Sequence, residues 1–190
     1  CPSGTMTNQI ALNVHTVPGQ EVICHKYAHI YNYEGGGLAF NSGLQVRTGG
    51  DNSGHLSANE VVDLINNPDD IHAAPTGIIS LENTANKGGG TCLDFNEIKK
   101  IKAVANSHSL PLHLDGARIF NALVATSTSS LEMGEQFDSI SVCLSKGLGA
   151  PVGSVLLGTK DFMVKARRIR KRFGGGMRQA GYLAAAGIYA

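Results

Sequence analysis

Short apolar runs recur along this chain at 21–24, 43–47, 77–81, 112–114, 139–144 and 154–158, and the segments between them carry helical patterning. Strands alternating with helices lead to one architecture: an α/β fold of three layers, a mostly parallel sheet flanked by helices. Helix starts are legible as caps. Ser3 precedes an apolar face at Ile10, Ala11, Leu12 and Val14. Ser57 with Glu60 forms a capping box ahead of Val61, Val62, Leu64 and Ile65. Asp94 opens a helix striped at Phe95, Ile98, Ile101 and Ala105. Further helices are expected near 117–125 and over 182–190, with a Ser/Thr turn at 126–130.

In open parallel sheets ligands sit beyond the carboxyl ends of the strands. The run 139–144 leads into Ser145 and Lys146, and a turn with Gly147, Gly149, Pro151 and Gly153 follows, so a lysine is expected at the end of a buried strand. Burial would lower its pKa and favour the neutral amine, which can form a Schiff base; an exposed loop is the commoner situation for a lysine. The run 112–114 ends on Asp115, and the chain between Asp115 and Lys146 suffices for one helix and one strand, which puts both side chains along one sheet edge. Pyridoxal phosphate requires this pair, a lysine for its aldehyde and an acid for its pyridinium nitrogen. The run 77–81 likewise ends in Glu82, Asn83 and Thr84. At the capped start near Gly4 and Thr5, free backbone N–H groups suit a phosphate, although caps without a ligand are commoner.

Composition excludes several classes. With 42% hydrophobic and 16% charged residues and a net charge of +1, the chain is globular, and bulk charge directs it to neither nucleic acid nor membrane. The basic run 165–172 has no interleaved aromatics and reads as a solvated helix face. The 4 cysteines show no Cys-x-x-Cys spacing; Cys24 and Cys143 lie in apolar runs as free buried thiols, which fits a reducing, cytoplasmic compartment. His25 and His29 supply only part of a zinc shell, so no metal site is expected. No phosphate-binding P-loop, dinucleotide fingerprint or Gly-x-Ser-x-Gly elbow is present, and no apolar run reaches membrane-spanning length.

Three stretches, HLDGARIFNA at 113–122, CLSKGLGAPVGS at 143–154 and GGGMRQ at 174–179, resemble the low-specificity threonine aldolases, a fold-type-I pyridoxal-phosphate family within the β-eliminating lyase group. The resemblance implies a lyase that cleaves threonine, allo-threonine and related β-hydroxy-α-amino acids to glycine and an aldehyde. It implies that Lys146 carries the cofactor aldehyde, Asp115 holds the ring nitrogen, His29 stacks on the ring and Arg118 pairs with the phenolic oxygen. Gly4, Thr5, Ser145 and Arg178 would hold the phosphate, Arg178 near a subunit boundary. Glu34 stands where the family has an acid before its glycines. His72 resembles a histidine on the substrate's β-hydroxyl side, and His72 or His29 is the candidate base; a loop histidine without a role is the equal alternative for His72.

The resemblance also implies a homo-oligomer, dimer or tetramer, and residues 1–190 as part of a cofactor-binding major domain. An amino-terminal arm and a carboxyl-terminal small domain would lie outside the chain. Two departures stand out: Ala85 occupies a position where many members have a histidine, and Gly88, Gly89 and Gly90 lengthen the adjoining loop. A different pyridoxal-phosphate reaction, such as β-elimination or racemisation, and an inactive truncated domain remain as alternatives.

Overall fold

The computed structural model describes residues 1–190. Strands β1 (Glu21–His25), β2 (Gln45–Gly49), β3 (Thr76–Glu82), β4 (Leu112–Asp115), β5 (Ser139–Cys143) and β6 (Ser154–Gly158) form one sheet in the order β2-β1-β3-β4-β5-β6. The first five run parallel, and β6 returns antiparallel to β5. After β1 the chain steps outward to β2 and then crosses back to β3 on the other side of β1. The strand order therefore reverses between β1 and β3, and the five parallel strands end along one carboxyl edge, where ligands sit in such sheets.

Strand alternation sends side chains to two layers. Ile23, Ile79, Leu81, Leu112, Leu114 and Val142 pack with Val61 of α4 (Ala58–Leu64) and with Ile98 and Ile101 of α5 (Phe95–Ser107). Ala122 of α6 (Ile119–Thr126) joins the same core. Each isoleucine buried there contributes roughly 1.5–3 kcal/mol of transfer free energy. On the opposite face Val22, Cys24 and Ile78 meet Leu12 of α1 (Gly4–His15) and Leu38 of α3 (Gly37–Ser42). There α1 also packs on α8 (Lys160–Arg172) through Ile10, Ala11, Phe162 and Ala166.

The remaining positions of β4 and β5 are polar, and they face α1. Thr7 Oγ1 lies 2.5 Å from Ser141 Oγ, and His15 Nε2 lies 2.9 Å from Ser139 Oγ. This polar seam joins α1 to β4 and β5.

The caps at Ser3 and Asp94 and the Ser57–Glu60 capping box form as expected, because each side chain accepts an N–H that the first helical turn leaves free. Three boundaries differ from expectation. Strand β2 starts at Gln45, since Gly43 adopts φ 61° to close α3. The turn expected at 126–130 is cut short by α7 (Ser130–Gly134), and α6 begins at Ile119. All four cysteines are free, and burial pushes the Cys24 thiol up to about 12. The apolar α9 (Gly181–Tyr189) buries none of its residues, and no helix is long and apolar enough to cross a membrane.

Candidate active site

Strand β4 delivers Asp115 to the carboxyl edge, paired in register with Glu82 of β3 and Ser141 of β5. Leu112 and Leu114 anchor the strand in one core, which turns His113 and Asp115 toward α1. Asp115 is 4% exposed. Its Oδ2 accepts the Asn8 amide at 2.9 Å and its Oδ1 accepts the Ala117 N–H at 3.2 Å. Burial, together with the Glu82 and Glu34 carboxylates, pushes its pKa up to about 6, while the Asn8 hydrogen bond and His29 pull the other way.

His29 opens the short helix α2 (His29–Asn32), just past the end of β1. Its backbone N–H donates to Glu82 Oε2 at 2.7 Å, and its Nδ1 lies 3.0 Å from Glu34 Oε1. The hydrogen bond to Glu34 raises the His29 pKa above the usual histidine value. Glu34 is buried and also receives the Asn8 amide at 2.8 Å and the Gln9 amide at 2.7 Å. His25 ends β1 and His29 starts α2, so the two do not share a helix face.

The third wall is the start of α1. The Gly4 and Thr5 N–H groups make no hydrogen bond within the chain, as expected of a first helical turn. A Cβ on Gly4 would lie 2.8 Å from Cys143 Sγ, so the helix reaches its position against β5 only with glycine there. Together Ser3, Gly4, Thr5, Asn8, His29, Asp115, Cys143, Ser145 and Lys146 line a single cavity of about 240 Å³. An acid at the floor, an amine at the rim and unfilled N–H donors at one end can hold a small anionic molecule with a cationic ring.

Six residues singled out from the sequence thus meet: Gly4, Thr5, His29, Asp115, Ser145 and Lys146. Lys146 is not buried at the strand end as expected; it lies past Cys143, exposed, in the turn before β6. The strand pairing that buries Val142 and Cys143 stops before residue 146, so Lys146 lines the cavity instead of packing in the core. Arg118 stands just outside at the start of α6, its guanidinium 3.3 Å from Asn86 Oδ1. Arg178 is exposed and off the cavity.

His72 lies apart from the cavity within this chain. It is exposed in the turn before β3, its N–H held by Asp70 Oδ1 at 2.9 Å, at the amino edge of the sheet. The 7 residues of β3 put about 20 Å between that edge and the cavity. Asn8 and Cys143, in contrast, line the cavity without a site role read from the sequence. Asn8 lies four residues before Leu12, on the helix face that the apolar residues mark as inward, and that periodicity was the available signal.

Asp115 and two histidines buried behind it set a pH dependence of folding. Burial lowers His113 to about 3 and His15 to about 4, so each contributes stability that is present above 6.5 and lost as the pH falls through those values. Asp115, with its raised pKa, contributes the other way: its share is full below the ordinary value of 3.8 and lost as the pH rises through about 6. Between pH 6 and 4 one of the two histidines is therefore offset, leaving a loss of about 1 kcal/mol per pH unit on acidification. His15→Gln should flatten this slope in urea titrations at several pH values; an unchanged slope would count against a neutral, buried His15.

The Beta-eliminating lyase family matches residues 1–190. A probable low-specificity L-threonine aldolase of Schizosaccharomyces pombe is 44% identical over 189 residues, covering 98% of this chain and 50% of that protein. The low specificity L-threonine aldolase of Escherichia coli K12 is 46% identical over 192 residues, covering 100% of this chain and 56% of that protein. Among solved structures, a putative aromatic amino acid beta-eliminating lyase/threonine aldolase from Exiguobacterium superposes with a TM-score of 0.84 at 28% identity, covering 97% of this chain and 51% of that one. The chain spans about half the length of the relatives it matches.

Proposed function

Because the chain belongs to the Beta-eliminating lyase family, we propose that this cavity takes pyridoxal 5′-phosphate and that the whole protein cleaves threonine and related β-hydroxy-α-amino acids to glycine and an aldehyde. The observation that carries the reading is the convergence of Asp115, Lys146 and the start of α1 on one cavity. Two further features suit the cofactor: the buried Asp115 carboxyl has no salt-bridge partner in the chain, and the Gly4 and Thr5 N–H groups have no acceptor. Bound there, the cofactor supplies an electron sink for the carbanion left when the Cα–Cβ bond breaks.

The chain's own residues do the rest. Asp115 holds the ring nitrogen in its protonated form, and Lys146 carries the aldehyde carbon. Gly4, Thr5 and Ser145 hold the phosphate, and His29 flanks the ring. Arg118 takes the phenolic oxygen, and Arg178 reaches a phosphate across a subunit boundary in a homo-oligomer. His29, with Nδ1 fixed on Glu34, keeps Nε2 for the substrate hydroxyl proton, directly or through water. Since Glu34 raises its pKa, the free-base form accumulates only above the usual histidine range. Turnover should therefore rise as the pH climbs through a value above 6.5; a rate flat from pH 6 to 9 would remove His29 as the base.

Product analysis tests the reaction class. The full-length protein, saturated with pyridoxal phosphate, should release glycine and acetaldehyde from threonine. Ammonia and 2-oxobutyrate instead would make it an eliminating lyase, interconversion of enantiomers a racemase, and no turnover of any amino acid would overturn the proposal.

A further inference from the structure

We propose that His113, which does not touch the cavity, is a positioning residue: its Nε2–H holds the Asn8 carboxamide oxygen and thereby fixes the two amide hydrogens of Asn8 on Asp115 and Glu34. The catalytic meaning rests on the assignment of Asp115 to the cofactor's ring nitrogen; the geometry stands without it.

The proton positions follow from the partners. Asn8 Nδ2 lies 2.8 Å from Glu34 Oε1 and 2.9 Å from Asp115 Oδ2. Turned over, the amide would aim its oxygen at two carboxylates, so the nitrogen faces them. The Asn8 oxygen then faces His113 Nε2 at 3.2 Å, and an amide oxygen only accepts, so Nε2 carries the hydrogen. His113 is fully buried, and burial keeps its ring neutral, which leaves Nδ1 as an acceptor. Ser139 Oγ, 2.8 Å away, donates to it and in turn accepts from His15 Nε2 at 2.9 Å. Every donor in the run Asp115, Asn8, His113, Ser139, His15 has one acceptor, and the tautomers of both histidines are fixed.

Such a run has one consequence at the cavity floor. Without the Nε2–H, the Asn8 oxygen is left buried with no donor, the two carboxylates alone orient the amide, and the hydrogen bond that stabilises the charged form of Asp115 weakens. The other charged groups facing Asp115 come from separate elements and stay in place: Glu82 from β3, Glu34 from the turn before α3 and His29 from α2, with Lys146 lining the same cavity from the turn after β5.

The test uses the cofactor-free protein and carboxyl ¹³C NMR, with Asp115→Asn identifying the resonance. Asp115 should titrate near pH 6 in the wild type. It should move up by about one pH unit in Asn8→Ala and in His113→Phe, and no further in the double variant. His113→Gln, whose amide N–H can reach the same oxygen, should restore most of the shift. An unmoved titration in folded His113→Phe, or a double variant with the sum of both shifts, would overturn the proposal. Should His113→Phe fail to fold, ¹⁵N NMR of the wild type decides: Nε2 must carry the hydrogen at pH 7, and a hydrogen on Nδ1 refutes the run. Neither measurement involves the cofactor, so this inference can fail while the aldolase reading stands, and a protein that binds no pyridoxal phosphate leaves the NMR result intact.

Discussion

Lys146→Ala is expected to reduce threonine cleavage by the full-length protein about 10⁴-fold or more, the size of loss seen when a group that bonds covalently during turnover is removed. Borohydride treatment of the pyridoxal-phosphate-loaded wild type should leave a fixed mass increment on the peptide that holds Lys146, and none on that of the variant. The side chain is exposed and makes no hydrogen bond or salt bridge within the chain, so its removal should change folding stability by less than about 0.5 kcal/mol. A loss of activity with an unchanged melting temperature therefore belongs to the chemistry. A variant that keeps a tenth of wild-type activity would displace Lys146 from its assignment.

Asp115→Asn should lower turnover by about 10²–10⁴ while raising the half-saturating cofactor concentration less than about tenfold. The asymmetry has a physical source. Affinity is spread over the phosphate donors at Gly4, Thr5 and Ser145 and the bond at Lys146, but only a carboxylate at the floor keeps the ring nitrogen protonated while charge builds up on the ring. Because burial and the neighbouring carboxylates hold Asp115 near 6, cofactor affinity of the wild type should also weaken as the pH falls below that value, and this pH dependence should vanish in the variant. Equal losses in affinity and turnover, or a pH dependence that survives, would mean that Asp115 is only part of the scaffold.

Much of the frame was legible in advance because it depends on local rules. The caps at Ser3, Ser57 and Asp94 formed, and Asp115 closes its strand at the predicted edge. The same strands carry a second pattern. His113 and Asp115 alternate with leucines in β4, and Ser139, Ser141 and Cys143 occupy alternate places in β5, so each strand shows a polar stripe to α1. Read as apolar runs, they hid the seam that now supports the cavity floor. For His72 the limit is different: a resemblance names a residue without saying at which end of a strand the chain leaves it.

By itself, the sequence determined which residues end strands, which open helices and which glycine turn follows Lys146, since propensity, capping and side-chain periodicity act over a few residues. Tertiary structure alone decided that Asn8 lies against His113, 105 residues later, and that β2 and β3 pair on opposite sides of β1. Contacts at that range depend on strand order and on which face of α1 settles against the sheet, and no short window of residues encodes either.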